Sequence, residues 1–200
     1  MSPVYSRFID ASRRWFLVVK CNKLWACGDT PEEQTTMSWT EQFQKILQAL
    51  FEKSTSFYGD RLISVVVFGS VGRRAMRPDS DIDVLYVIDP LPSGRMRRVE
   101  EFRGLESQID GVLKAARDLG VQTILSPVFK TPAEVLRGSA LFLDMVDDAL
   151  FLFDRDDFFR QEMSRLRQRL ARLGAKRIWK GNAWYWDLKP DFKCGEEFQI

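Results

Sequence analysis

The sequence contains no histidine. That excludes Ser-His and Cys-His catalysis and any zinc or iron site with a histidine ligand. Cysteine is scarce: Cys21, Cys27 and Cys194 are odd in number and lack Cys-x-x-Cys spacing. A reducing, cytoplasmic setting is therefore expected rather than a disulfide scaffold. No apolar run approaches the roughly 20 residues of a membrane span, and residues 15–19 are closed off by Lys20, so a signal peptide is not expected either. An excess of one charge is missing too. Lys+Arg total 30 against Asp+Glu 28, a net charge of +2, so general nucleic-acid binding is not expected. Internal repeats and low-complexity tracts are absent. What is present is 200 residues with 45% hydrophobic content, enough for one good core.

The chemistry concentrates in residues 65–88. Val65, Val66, Val67 and Phe68 form an unbroken β-branched and aromatic run, as in a strand covered on both faces. Gly69 lacks a Cβ, so the backbone can turn sharply there and let a ligand approach. If a helix follows, its free N–H groups and the Ser70 hydroxyl can hold a phosphate. A basic spacer with Arg73, Arg74 and Arg77 leads to Ser80-Asp81-Ile82-Asp83-Val84. On a strand, Asp81 and Asp83 share a face. Two adjacent carboxylates repel unless a cation lies between them, and Mg²⁺ suits hard oxygen ligands and nucleotide phosphates together. Read alone, Asp-x-Asp is often a solvated turn; the preceding strand and Gly-Ser at this spacing make it more specific.

This stretch resembles the nucleotidyltransferase superfamily of DNA polymerase beta, and most closely its minimal nucleotidyltransferase branch. The matching residues are Gly69-Ser70, Gly72-Arg73-Arg74 and Ser80-Asp81-Ile82-Asp83-Val84. The glycine that the family places after the arginine is Arg74 here. The resemblance implies Asp81 and Asp83 as the metal pair, Gly69 and Ser70 as the triphosphate contact, and Arg73 and Arg74 as cations for phosphate charge. It implies attack by a hydroxyl on the α-phosphate of ATP or another nucleoside triphosphate, with two Mg²⁺ ions assisting. Active members supply a third carboxylate from the next strand, but residues 121–129 hold no Asp or Glu. Asp118, Glu134 and Asp144 are candidates from outside that strand, and Gln122 or Ser126 could serve as a neutral ligand.

The fold expected is α/β, a small mixed sheet flanked by helices, followed by a C-terminal helix and an aromatic tail. Residues 1–36 read as an N-terminal extension of unclear role, with Met37 a candidate natural start. Residues 37–155 read as the nucleotidyltransferase domain, and 156–200 as a helix and tail packed on it. Ser38-Trp39-Thr40-Glu41 suggests a capping box for the first helix. Residues 89–94 read as a loop, and Arg95 opens a long helix closed by Gly120. Residues 121–129 read as the third strand. Thr131-Pro132-Ala133-Glu134 marks a helix start, residues 139–148 a further helical segment, and 149–153 a short strand. Met163, Leu166, Leu170 and Leu173 give the last helix an apolar seam, for the core or for a homo-oligomer. From residue 178 the tail, with Trp179, Trp184, Tyr185 and Trp186, reads as irregular, more suited to docking than to base stacking.

The resemblance implies AMP transfer to a hydroxyl of a partner protein, in the manner of an antitoxin encoded beside a HEPN toxin. Two alternatives stay open on sequence alone. One is a weak or inactive nucleotide-binding module that neutralises a toxin by contact, as the missing strand carboxylate suggests. The other is transfer to a small molecule such as an aminoglycoside.

Overall fold

The computed structural model describes residues 31–181, 183–193 and 196–198. Of the expected extension, residues 1–30 lie outside that set. Residues 31–36 instead open helix α1, Pro31–Tyr58, so Ser38 is inside the helix and is not its cap. Pro31 explains the earlier start, because the proline backbone is pre-set for the first helical position.

Strands β1 (Leu62–Phe68), β2 (Ile82–Ile88), β3 (Leu125–Lys130) and β4 (Leu150–Asp154) form one sheet in the order β3-β2-β1-β4. β1 pairs antiparallel with β2 and β4, and β2 pairs parallel with β3. The parallel step requires a crossover, supplied by helix α3, Arg95–Asp118. The fold is thus α/β, a four-stranded mixed sheet between helical layers.

The unbroken apolar runs are explained by cover on both faces. Val65, Val67, Val84 and Tyr86 join one cluster with Phe43, Ile46 and Leu50 of α1 and Phe102, Leu105 and Ile109 of α3. Val66, Phe68, Leu85 and Val87 join the other, with Phe142, Phe159, Met163 and Leu166. Phe159, Met163 and Leu166 come from helix α5, Phe158–Arg172, so the leucine seam belongs to the core. Each fully buried aliphatic side chain contributes about 1.5–3 kcal/mol. Asp154, at the end of β4, fastens the second layer. Its Oδ1 accepts from Ser64 Oγ at 2.6 Å and from Phe159 N at 3.0 Å, and Oδ2 accepts from Arg160 N at 3.0 Å.

Three further expectations need correction. The third strand begins at Leu125 rather than Val121. The segment before it is held instead by Gln122 N donating to Pro78 O at 2.8 Å and by Ile82 N donating to Ile124 O at 2.9 Å. Residues 139–148 give only a 3-10 turn over Ala140–Asp144, which Ser139 caps. The tail is not irregular. β5 (Lys176–Lys180) and β6 (Ala183–Asp187) form an antiparallel hairpin with Trp179 opposite Trp184. Gly181-Asn182 between alternating aromatics is a two-residue hairpin signal that the sequence reading passed over. Helix α4, Pro132–Leu136, has the expected capping box, with Thr131 and Glu134 both engaged.

Candidate active site

β1 delivers the chain to Gly69 at the end of an inner strand, where the one-turn helix α2 (Gly69–Gly72) begins. β2 returns antiparallel with Asp83 opposite Phe68. The Asp83 carboxylate is directed at the turn: a Cβ on Gly69 would lie 2.2 Å from Asp83 Oδ2. Gly69 also has φ +68°, in the left-handed region that side chains disfavour. The glycine is therefore required twice, by backbone conformation and by the approaching carboxylate. Gly72 is similarly crowded, since a Cβ there would meet the carbonyl oxygens of Asp148 and Val67 at 2.9 Å each.

The spacer ends α2 through a Schellman arrangement. Ala75 N donates to Ser70 O at 2.9 Å and Arg74 N to Val71 O at 3.0 Å, with Arg74 at φ 56°. Arg74 thus occupies the left-handed position normally given to glycine. The turn is as tight as a glycine would make it, and the arginine bears the strain. Arg73 is half-buried and Arg74 exposed.

Asp81 lies one residue before β2 and is exposed, whereas Asp83 is half-buried within the strand. Burial, and then the neighbouring Asp81 charge, push the Asp83 carboxyl above its ordinary pKa; the Ser126 hydroxyl donating to it and the Arg73 charge act in the opposite direction. Ser126 is the β3 residue in register with Asp83. It stands in the next strand, where the resemblance implies a third carboxylate.

The three outside acids separate clearly. Glu134 is committed elsewhere: its carboxylate accepts from Arg98 at 2.9 and 3.0 Å and from Thr131 N at 2.8 Å. Asp118 is exposed at the end of α3. Asp144 is the one whose charge acts on Asp83. Its own carboxyl is raised by burial, against the charges of Arg73 and Arg177. Sequence spacing could not single out Asp144, which stands 61 residues beyond Asp83 in the chain. Among the described residues, Asp81 and Asp83 enter no ion pair. No group of three His, Cys, Asp or Glu side chains among them could hold a metal ion.

The donor set, two carboxylates beside a hydroxyl and a glycine turn, fits one Mg²⁺ completed by nucleotide phosphates. A model of the nucleotidyltransferase domain family matches residues 43–137, from α1 through the acid pair to α4. Residues 43–137 form a nucleotidyltransferase domain. By class the chain is a transferase. The chain is 27% identical over 135 residues to MJ1305 of Methanocaldococcus jannaschii, which bears the name of a protein adenylyltransferase. That match spans 66% of this chain and 86% of MJ1305. Among solved structures, a toxin-antitoxin with AMP-PNP is 18% identical, covering 67% of this chain and 91% of its own at a TM-score of 0.35. A mutant of the toxin-antitoxin MntA-HpeT is 20% identical, covering 66% and 90% at a TM-score of 0.37. Among the described residues, no helix is long and apolar enough to cross a membrane.

Proposed function

We propose that the chain transfers AMP from ATP to a hydroxyl of a partner protein, with one Mg²⁺ held by Asp81 and Asp83. The carrying observation is the Asp83 carboxylate turned onto the Gly69-Ser70 bend inside a nucleotidyltransferase domain. The likeness to a chain named for protein adenylylation supports a protein acceptor. A HEPN-type toxin is the partner that this reading favours, with the chain acting as its antitoxin.

In the reaction, the acceptor oxygen attacks the α-phosphorus, the bond to the bridging oxygen breaks, and pyrophosphate leaves with the electron pair. The ion, when bound, supplies positive charge to the phosphates. The protein supplies the rest. Gly69 leaves room for the phosphate chain beside Asp83, Ser70 offers a hydroxyl and N–H groups, and Arg73 and Arg74 neutralise phosphate charge. Asp144, raised by burial, takes the acceptor's proton.

A second reading has one specific observation in its favour. Ser126 stands beside Asp83 on the next strand, so the chain could bind nucleotide and neutralise its partner without turnover. The test is incubation with Mg²⁺, the partner protein and ATP labelled at either the α- or the γ-phosphate. Nucleotidyl transfer puts α-label and no γ-label on the partner and fails in Asp81→Ala and Asp83→Ala. If no label is transferred while all three proteins neutralise the partner equally, the binding module is the correct reading.

A further inference from the structure

The β5–β6 hairpin lies outside the matched domain, yet it is fastened to the segment that borders the acid site. Arg177 Nη2 contacts Asp148 Oδ2 at 2.6 Å, and the backbone oxygen of Asp148 is the atom that crowds Gly72 of α2. Trp186 Nε1 donates to Leu143 O at 3.2 Å, beside Asp144. The hairpin is also on the correct side of the sheet. Trp186 and Leu188 pack against the cluster to which Leu85 and Val87 belong, and side-chain alternation along β2 places Asp83 on that same face.

On this support Arg177 stacks against two indoles, 4.9 Å from the Trp179 ring and 4.1 Å from the Trp184 ring. Its Nε is buried and has no hydrogen-bond acceptor among the described residues. Trp179 is 57% exposed. A large indole kept in water, braced by a guanidinium that is itself tied to the wall of the phosphate turn, is poor use of apolar surface unless something flat covers it.

We propose that Trp179, braced by Arg177 and Trp184, is the stacking platform for the nucleobase of the bound nucleoside triphosphate. The inference rests on the proposed function only in taking a nucleotide at the Asp83 site. It assigns the base to a hairpin beyond the nucleotidyltransferase domain, whereas the phosphates belong to α2. Stacking of a base on an aromatic side chain is sequence-tolerant, so the platform supplies affinity more than choice among purines.

The test compares Mg²⁺-ATP with Mg²⁺-tripolyphosphate, which has the charge but no base, by titration calorimetry on the full chain. Trp179 is exposed, so Trp179→Ala should fold, which circular dichroism checks. Trp179→Ala should weaken ATP binding about tenfold, leave tripolyphosphate unchanged, and be restored by Trp179→Phe. Unchanged ATP affinity overturns the proposal, including the case in which only transfer to a protein acceptor is lost; that result would make the face an acceptor dock. Equal weakening of both ligands overturns it as well. Wild-type protein that binds tripolyphosphate as tightly as ATP removes the base platform but leaves the transferase reading standing. Wild-type protein that binds neither overturns both.

Discussion

Substitution of Gly69 separates backbone strain from loss of the site. In Gly69→Ala the new methyl must adopt φ +68° and would lie 2.2 Å from Asp83 Oδ2. The left-handed conformation costs a non-glycine residue about 1–2 kcal/mol, which in a chain of this size lowers Tm by roughly 2–8 °C. The collision adds a second effect, because Asp83 must leave the position from which it faces the turn. Gly59→Ala is the control. It has φ +54° with nothing within 4 Å of the added Cβ, so it should show the same backbone cost and nothing more. The assay is thermal denaturation of both variants with and without Mg²⁺-ATP. Gly59→Ala should keep the full ligand-induced rise in Tm, and Gly69→Ala should lose most of it. If Gly69→Ala keeps a wild-type rise, Asp83 does not act where its carboxylate points, and the reasoning fails.

Further outcomes follow from individual residues. Arg74→Gly relieves a left-handed arginine and should raise the Tm of the ligand-free protein by about 1 kcal/mol equivalent, or roughly 2–4 °C, while weakening Mg²⁺-ATP; an unchanged or lower ligand-free Tm contradicts the strain assigned there. Glu134 is held below its ordinary pKa, first by its hydrogen bonds from Arg98. Its ionised form therefore stabilises the fold above the unfolded-state pKa, and that contribution is lost as pH falls through the lower folded-state value. The stability gap between wild type and Glu134→Gln, about 1 kcal/mol at neutral pH, should close in acid; a gap independent of pH refutes the linkage. Asp144→Asn should cut label transfer roughly 10²-fold with Mg²⁺-ATP affinity largely kept, whereas wild-type turnover would remove Asp144 from the proton path.

The parts of the fold that local chemistry dictates were legible in the sequence. The run from Val65 to Phe68 is buried on both faces, Thr131 and Glu134 close their capping box, and Gly174 follows the last helix. Of the proposed acid pair, the strand run from Ile82 to Ile88 was legible and contains Asp83, whereas Asp81 lies just before the strand, where alternation does not set its direction. What was missed depends on tertiary contact. The start of β3 is set by the loop around Pro78 taking the Gln122 amide, which no period in the sequence encodes. The charge of Asp144 acts on Asp83 across 61 residues of chain, which no local pattern reports. The hairpin is a different kind of miss. Its alternation and the residue pair Gly-Asn were present in the sequence, but two short strands that form their own sheet give a weak periodic signal.

The central claim is that Asp81 and Asp83 hold one divalent ion at the Gly69-Ser70 turn together with a nucleotide. Electron paramagnetic resonance of Mn²⁺, titrated into the protein with a non-hydrolysable ATP analogue, measures this directly. The account predicts one nucleotide-dependent ion per chain, absent in Asp83→Asn. Two ions per chain, or one that survives Asp83→Asn, would contradict it.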